Sequence, residues 1–414
     1  MAGPADPAWR AAEAAARDSY GRLLAFLAAR SRDVAAAEDA LAEAFAAALA
    51  SWPRDGVPRS PEAWLLVAAR RRLADAARRR QTRLAAADRI VLAAEEAQAR
   101  ADEPAGLPDE RLGLLFACAH PAIDPAVHAP LMLQVVLGVE AAPIAAACLV
   151  APAAMAQRLV RAKRKILEAG IPFRVPDAGE LPDRVGTVLD AVYAAYTLGR
   201  DEVGERPAEL TREALWLARL TARLLPAEPE AQGLAALLLH VEARRPAGRD
   251  DTGRFVPLAE QDPAAWDSAL IGEAEALLRH AAAAGRIGRF QLEAAIQSAH
   301  AVRRRGGPAD WAAILALYDR LLELTGSVVV AINRCVALAE VDGAAAGLAA
   351  LDALAGDPRL AAYQPWWAAR AGLLDRAGDR TAAVAAYDRA MALAIDPAVR
   401  GWLGTRRDAA ARPA

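Results

Sequence analysis

The sharpest pattern of apolar and polar positions lies at residues 155–166. Apolar side chains fall at Met155, Leu159, Ala162 and Ile166, the i, i+4, i+7, i+11 positions of one helix face. Gln157, Arg158, Arg161, Arg164 and Lys165 cover the opposite side. A shorter run from Ile144 to Cys148 precedes it, and Leu149-Val150-Ala151-Pro152 reads as a turn between the two. Helix, tight turn and amphipathic basic helix is the plan in which the second helix enters the DNA major groove. There Arg and Gln can pair with base edges while other cations meet phosphate. A solvated basic face would show the same periodicity. Five cations with no acid in residues 156–166 are unusual for it.

Helical periodicity runs through the rest of the chain. Residues 9–52 read as a helical block broken near residues 31–33, and residues 52–58 (Trp-Pro-Arg-Asp-Gly-Val-Pro) as a turn. Ser60-Pro61-Glu62 then supplies an N-cap followed by Pro at the first helical position. The helix it opens runs into Arg78-Arg79-Arg80. Residues 84–106 are rich in Ala, Glu and Asp and read as a linker with some helical content. A second helical block ends at Ala169-Gly170, with Gly170 placed to cap it, and Pro172, Pro176 and Pro182 mark a boundary. From residue 184 to 410 helix follows helix, with a long loop at 245–263. Ala346, Ala350, Ala353 and Pro358 match Ala383, Tyr387, Ala390 and, nearly, Pro397 at an offset of 37, close to the ~34-residue helical-hairpin repeat. Almost nothing alternates at period two. The expectation is an all-α protein.

Composition agrees. Of 414 residues 55% are apolar, mainly alanine, and only 5% are aromatic. Alanine is the best helix former. The net charge of −2 becomes informative once divided. Residues 54–83 hold nine Arg against Asp55, Glu62 and Asp75, giving +6, and residues 156–166 give +5. Those two segments carry +11, which leaves −13 for the rest. Two basic stretches on an acidic protein suggest a polyanion partner at two places. In the first, Trp64, Leu65, Val67 and Ala68 lead into Arg70-Arg71-Arg72-Leu73-Ala74-Asp75, where Arg71 and Asp75 have ion-pair spacing. By itself that run could be a helix end with its favoured cations.

Other chemistry is sparse. Cys118, Cys148 and Cys335 are far apart with no CxxC, which fits a reducing cytoplasm. The N-terminus has no apolar stretch of signal-peptide type. The most apolar stretch, 131–155, contains Gln134, Glu140, Pro143 and Pro152 and reads as helices around turns, not a membrane span. Histidines 120, 128, 240, 280 and 300 form no HExxH, and Cys118-x-His120 cannot close a zinc site alone. No Gly-rich phosphate loop or GxSxG occurs. No enzyme, metal or cofactor is expected. Trp311 and Trp366-Trp367 read as packing residues.

Three segments resemble sigma-70-type factors of the extracytoplasmic-function (ECF) group. Ala37-Glu38-Asp39-Ala40-Leu41-Ala42-Glu43-Ala44-Phe45 resembles the helix that binds core RNA polymerase. Pro61-Glu62-Ala63-Trp64-Leu65 through Asp75 and Arg78-Arg79 resembles the helix that opens and reads the −10 element. Residues 155–166 resemble the −35-reading helix. Cys118-Ala119-His120-Pro121, Leu239-His240 with Ala243-Arg244-Arg245, Gln261-Asp262 with Trp266-Asp267, and Tyr318-Asp319-Arg320-Leu321 are similar to the ECF subgroup with a tetratricopeptide-like C-terminal extension. At the first helix of the helix-turn-helix, Glu140-Ala141-Ala142-Pro143-Ile144-Ala145 stands where the subgroup has Ser/Thr-x-x-Glu-Ile-Ala. The lost cap hydroxyl costs ~1 kcal/mol, and Pro143 is tolerated only in the first turn.

The resemblance implies a sigma region 2 at 5–83, a linker at 84–106, a region 4 helix-turn-helix at 107–170 and a helical extension at 184–410. It implies that Asp39, Glu43 and Phe45 meet core polymerase. Trp64, Arg70, Arg71, Asp75, Arg78 and Arg79 would serve the −10 element. Gln157, Arg158 and Arg161 would meet −35 bases, with Arg164 and Lys165 on phosphate. Core polymerase and promoter DNA are the implied partners, with a protein partner for the extension. The competing reading is a helical-repeat interaction scaffold whose sigma-like module is degenerate.

Overall fold

A computed structural model describes residues 7–81, 110–148, 150–177, 179–201 and 205–412. The 84–106 linker, Leu107-Pro108-Asp109 and the side chain of Arg79 lie outside the described residues. Among the described residues there are eighteen α-helices and no strand, only an isolated bridge between Arg249 and Phe255. The all-α expectation holds. No described helix is long and apolar enough to cross a membrane. The chain divides into two compact units, residues 1–220 and 221–414.

The first unit opens with three helices, α1 (Pro7–Ser31), α2 (Val34–Asp55) and α3 (Pro61–Gln81). Arg32, at φ 55°, turns the chain, and the Asp33 carboxylate caps α2 by accepting from the Ala36 amide at 2.9 Å. Leu23, Leu24, Leu27, Leu41, Leu65 and Leu66 fill the space between them. The expected turn at 52–58 is shorter than its sequence suggests. Helix α2 continues through Pro53 to Asp55 and stops at Gly56, whose amide donates to Trp52 at 3.0 Å. Proline's fixed φ is helical, so in a last turn it costs one hydrogen bond and no break. Ser60 caps α3 as expected, its hydroxyl accepting from the Ala63 amide at 3.4 Å.

Helices α4 (Arg111–Cys118), α5 (Pro125–Val135), α6 (Ala141–Ala147) and α7 (Pro152–Glu168) follow. Pro143 is the third residue of α6, inside the first turn, where a missing amide proton costs nothing. Gly170, at φ 60°, ends α7 in the left-handed conformation. Helix α8 (Leu181–Asp201) packs on α5, and α9 (Glu205–Leu224) crosses the division between units.

The second unit holds α10 (Pro229–Arg244), α11 (Ser268–Ala283), α12 (Arg289–Ala301), α13 (Trp311–Thr325), α14 (Val328–Asp342), α15 (Ala344–Asp352), α16 (Gln364–Ala377), α17 (Arg380–Leu393) and α18 (Pro397–Ala411). Most packing is between helices adjacent in sequence. The expected loop after α10 is ordered by distant arginines. Arg303 donates to the carbonyls of Leu258, Ala259 and Gln261, and Arg304 to those of Pro263 and Ala264. Trp311 sits edge-on to His300, and Trp366 edge-on to Trp367 within a core containing Leu351 and Leu373, so these tryptophans are packing residues.

Candidate nucleic-acid and polymerase interface

Helix α7 is built as its periodicity predicts. Met155, Leu159, Ala162 and Ile166 are its buried residues. The apolar stripe turns the other faces outward. Gln157, Arg161, Arg164 and Lys165 are exposed and Arg158 is half-buried. Arg164 lies 3.3 Å from Glu168 one turn on, an exposed pair worth little. Val160 stands among these residues with 65% exposure, an apolar group on the outer face that the polar pattern does not single out. The helix starts without a side-chain cap at Ala151, and Pro152 at the first position supplies the preset φ instead.

Lys163 does not share that outer face. Its ammonium reaches the Glu38 carboxylate of α2 at 2.6 Å, with the two side chains only 10% and 19% exposed. Burial pushes the Glu38 carboxyl up from its ordinary value, and the Lys163 charge pulls it back down. Tyr20 lies beside the pair, its phenol raised by burial and by the Glu38 charge. Residue spacing cannot show this contact, because the partners are 125 positions apart.

On α3, Leu65, Leu66 and Ala69 point inward and Arg71, Arg72, Asp75 and Arg78 are exposed. Trp64 is half-buried, its ring edge-on to Trp52 at 5.5 Å between centroids. Arg70 is half-buried too. Its guanidinium lies 5.0 Å from the Phe26 centroid, and Arg30 lies 3.4 Å from the same ring. Burial, then the neighbouring Arg30, lowers the Arg70 pKa from its ordinary value. Arg30 therefore joins this basic surface, although sequence reading passes over it. Asp75 pairs with Arg78 at 3.3 Å, three residues along, and not with Arg71. Both spacings are neighbours on a helix, so the choice falls to side-chain geometry.

Asp39 and Glu43 lie one turn apart on α2 and are both exposed, while Phe45 is half-buried. Glu43 is 3.3 Å from Arg72 of α3, and both side chains are about half exposed. A pair this wet is worth ~0–1 kcal/mol and exchanges readily for another cation.

Residues 16–83, from within α1 to just beyond α3, match the family model for sigma-70 region 2. The first three helices are thus similar to sigma-70 region 2. Residues 184–282 match a second model, a family of unknown function (DUF6596). An uncharacterized protein of Rhizobium meliloti (strain 1021) is 38% identical over 391 residues, covering 92% of each chain. No solved structure matches the chain. Within the sigma-70 family, region 2 implies binding to core RNA polymerase and promoter DNA. The exposed acids of α2 and the exposed arginines of α3 both lie within the matched residues.

Proposed function

We propose that this protein is a sigma-70-type initiation factor of the ECF group. It directs core RNA polymerase to its promoters from the cytoplasm, with α3 at the −10 strand and α7 at the −35 element. The observation that carries the −35 half is the build of α7. A stripe of four buried apolar residues anchors it on the module, while Gln157, Arg161, Arg164 and Lys165 face outward behind a short helix and turn. That is a reading helix in the helix-turn-helix sense. Asp39 and Glu43 face core polymerase, with Phe45 packed beside them. Arg70, Arg71, Asp75, Arg78 and Arg79 serve the −10 strand, and Trp64 supports them from its packed position against Trp52. The helices of 184–410 form a tetratricopeptide-like array that regulates the module in cis.

Run-off transcription with core polymerase over fragmented genomic DNA tests the reading. Promoter-specific transcripts that vanish with Arg161→Ala support it. The scaffold alternative predicts no transcripts and no copurification with core polymerase. Removing residues beyond 180 then tests the regulatory half: unchanged promoter activity would defeat it.

A further inference from the structure

Helix α7 packs on α5, and α5 has no face left for solvent along its middle turn. Pro130, Leu131, Met132 and Leu133 are successive residues, enough for a full turn of helix, and all four are buried. A helix that is apolar all round needs cover on every side. Helices α1, α4 and α7 supply part of that cover, and α8 supplies another part. Val185, Val188, Leu189, Val192 and Tyr196 of α8 are buried at i, i+3, i+4, i+7 and i+11, one continuous apolar stripe.

Two further ties join the same helices. Glu213 of α9 pairs with Arg111 at the start of α4, and the Trp216 ring lies against the same guanidinium. Arg111 is buried, so its charge depends on that partner. The segment that leads from α7 to α8 runs against α4. A Cβ at Gly113 would lie 2.9 Å from the Phe173 carbonyl oxygen. All of these residues fall in the compact unit 1–220, whereas the match to DUF6596 begins at residue 184.

We infer that α8 and α9 are the rear wall of the −35-reading module, with Arg111 and Glu213 as positioning residues that hold α4 and α5 and, through them, α7. This role rests on the sigma-factor reading above. Residues 184–220, the first part of the region matched to DUF6596, thereby serve DNA reading, and the helical array begins behind them. A reading helix works only if its supporting shell holds it to within about 0.5 Å. Support passes from α9 to α4, from α4 and α8 to α5, and from α5 to α7. The helix-turn-helix therefore does not end its module at residue 170, and a cut at 180 removes part of the reading module together with the array.

The test uses the full chain carrying Glu213→Lys, which sets a second cation beside Arg111. The probe is a duplex with the −35 region of a promoter recovered by run-off transcription. Affinity for it is expected to fall about tenfold, while affinity for core polymerase stays within about twofold of wild type. Amides of α7 are expected to exchange hydrogen about tenfold faster, and those of α3 at an unchanged rate. Arg111→Glu combined with Glu213→Lys is expected to recover most of both losses. Circular dichroism checks that each variant is folded, and Glu213→Gln, which only removes the charge, gives a smaller change in the same direction if Glu213→Lys is not. Unchanged −35 affinity and α7 exchange in a folded Glu213 variant overturn the inference. Equal losses of −35 and polymerase affinity overturn it too, because they mark general destabilisation. A wild type that binds neither core polymerase nor promoter DNA overturns the sigma reading, and the support of α7 by α9 then stands or falls on the exchange rates alone.

Discussion

Arg111, the first residue of α4, lays its guanidinium 3.7 Å from the centroid of the Trp216 ring and pairs with Glu213 one turn earlier on α9. It is only 7% exposed, so helix α9 is fastened to the start of α4 by a buried charge with an aromatic cover. Arginine is suited to such a place because its planar, weakly hydrated head can stack and bond together. Arg111→Ala is expected to destabilise the protein by about 3 kcal/mol, because an ion-pair partner is left behind. Arg111→Lys retains the charge and is expected to lose about 1 kcal/mol, the stacking contribution. Urea midpoints of the two variants check the order.

Base readout and phosphate contact on α7 separate by their salt dependence. Arg158→Ala is expected to cost ~1–3 kcal/mol on the cognate −35 duplex and much less on scrambled DNA. Lys165→Ala is expected to weaken both about equally and to lower the log–log salt slope by about one. Titrations across a range of salt concentrations with both duplexes measure this. Equal losses on cognate and scrambled DNA for Arg158→Ala would remove it from base readout.

Two histidines of the second unit make stability depend on pH. His240 is held down to about 4, first by burial, with Glu275 pulling the other way. His300 is also held down to about 4, by burial and then by Arg244 and Arg303. Their folded values lie below the ordinary value of 6.5, so the unfolded chain binds more protons between the two. Stability is therefore full above pH ~6.5 and is lost as the pH falls towards 4, by up to on the order of 3 kcal/mol per histidine. Denaturant midpoints between pH 7 and pH 4 are expected to fall, and to fall less steeply in His300→Gln.

Gly347 lets α15 lie against α14. An added Cβ would meet the Ala339 Cβ at 2.5 Å and the Cys335 carbonyl oxygen at 2.7 Å. Alanine is the better helix former by about 1 kcal/mol, yet overpacking costs 1–3 kcal/mol. Gly347→Ala is expected to lower stability by up to about 2 kcal/mol, read as a lower melting temperature.

These helices also show what sequence alone could reveal. The buried face of α7 was legible because four apolar residues at helical spacing leave only one side to bury. The start of α3 was legible because Ser60 and Pro61 carry the local chemistry of a helix N-terminus. Contacts between residues far apart were not. Spacing places Lys163 near the basic face, and only the packing of α7 on α2 turns it to Glu38. Nothing in the sequence around Arg303 and Arg304 points to the loop carbonyls more than 40 residues earlier to which they donate. At Pro53 the residue is a breaker by rule, and its place in a last turn decides otherwise.

Transcription from a defined template with purified core polymerase tests the central claim most directly. The account predicts transcripts from a single start site that depend on the added protein, together with protection of DNA at both the −10 and −35 positions. Absence of transcripts and of any polymerase complex, with the protein folded, would contradict it.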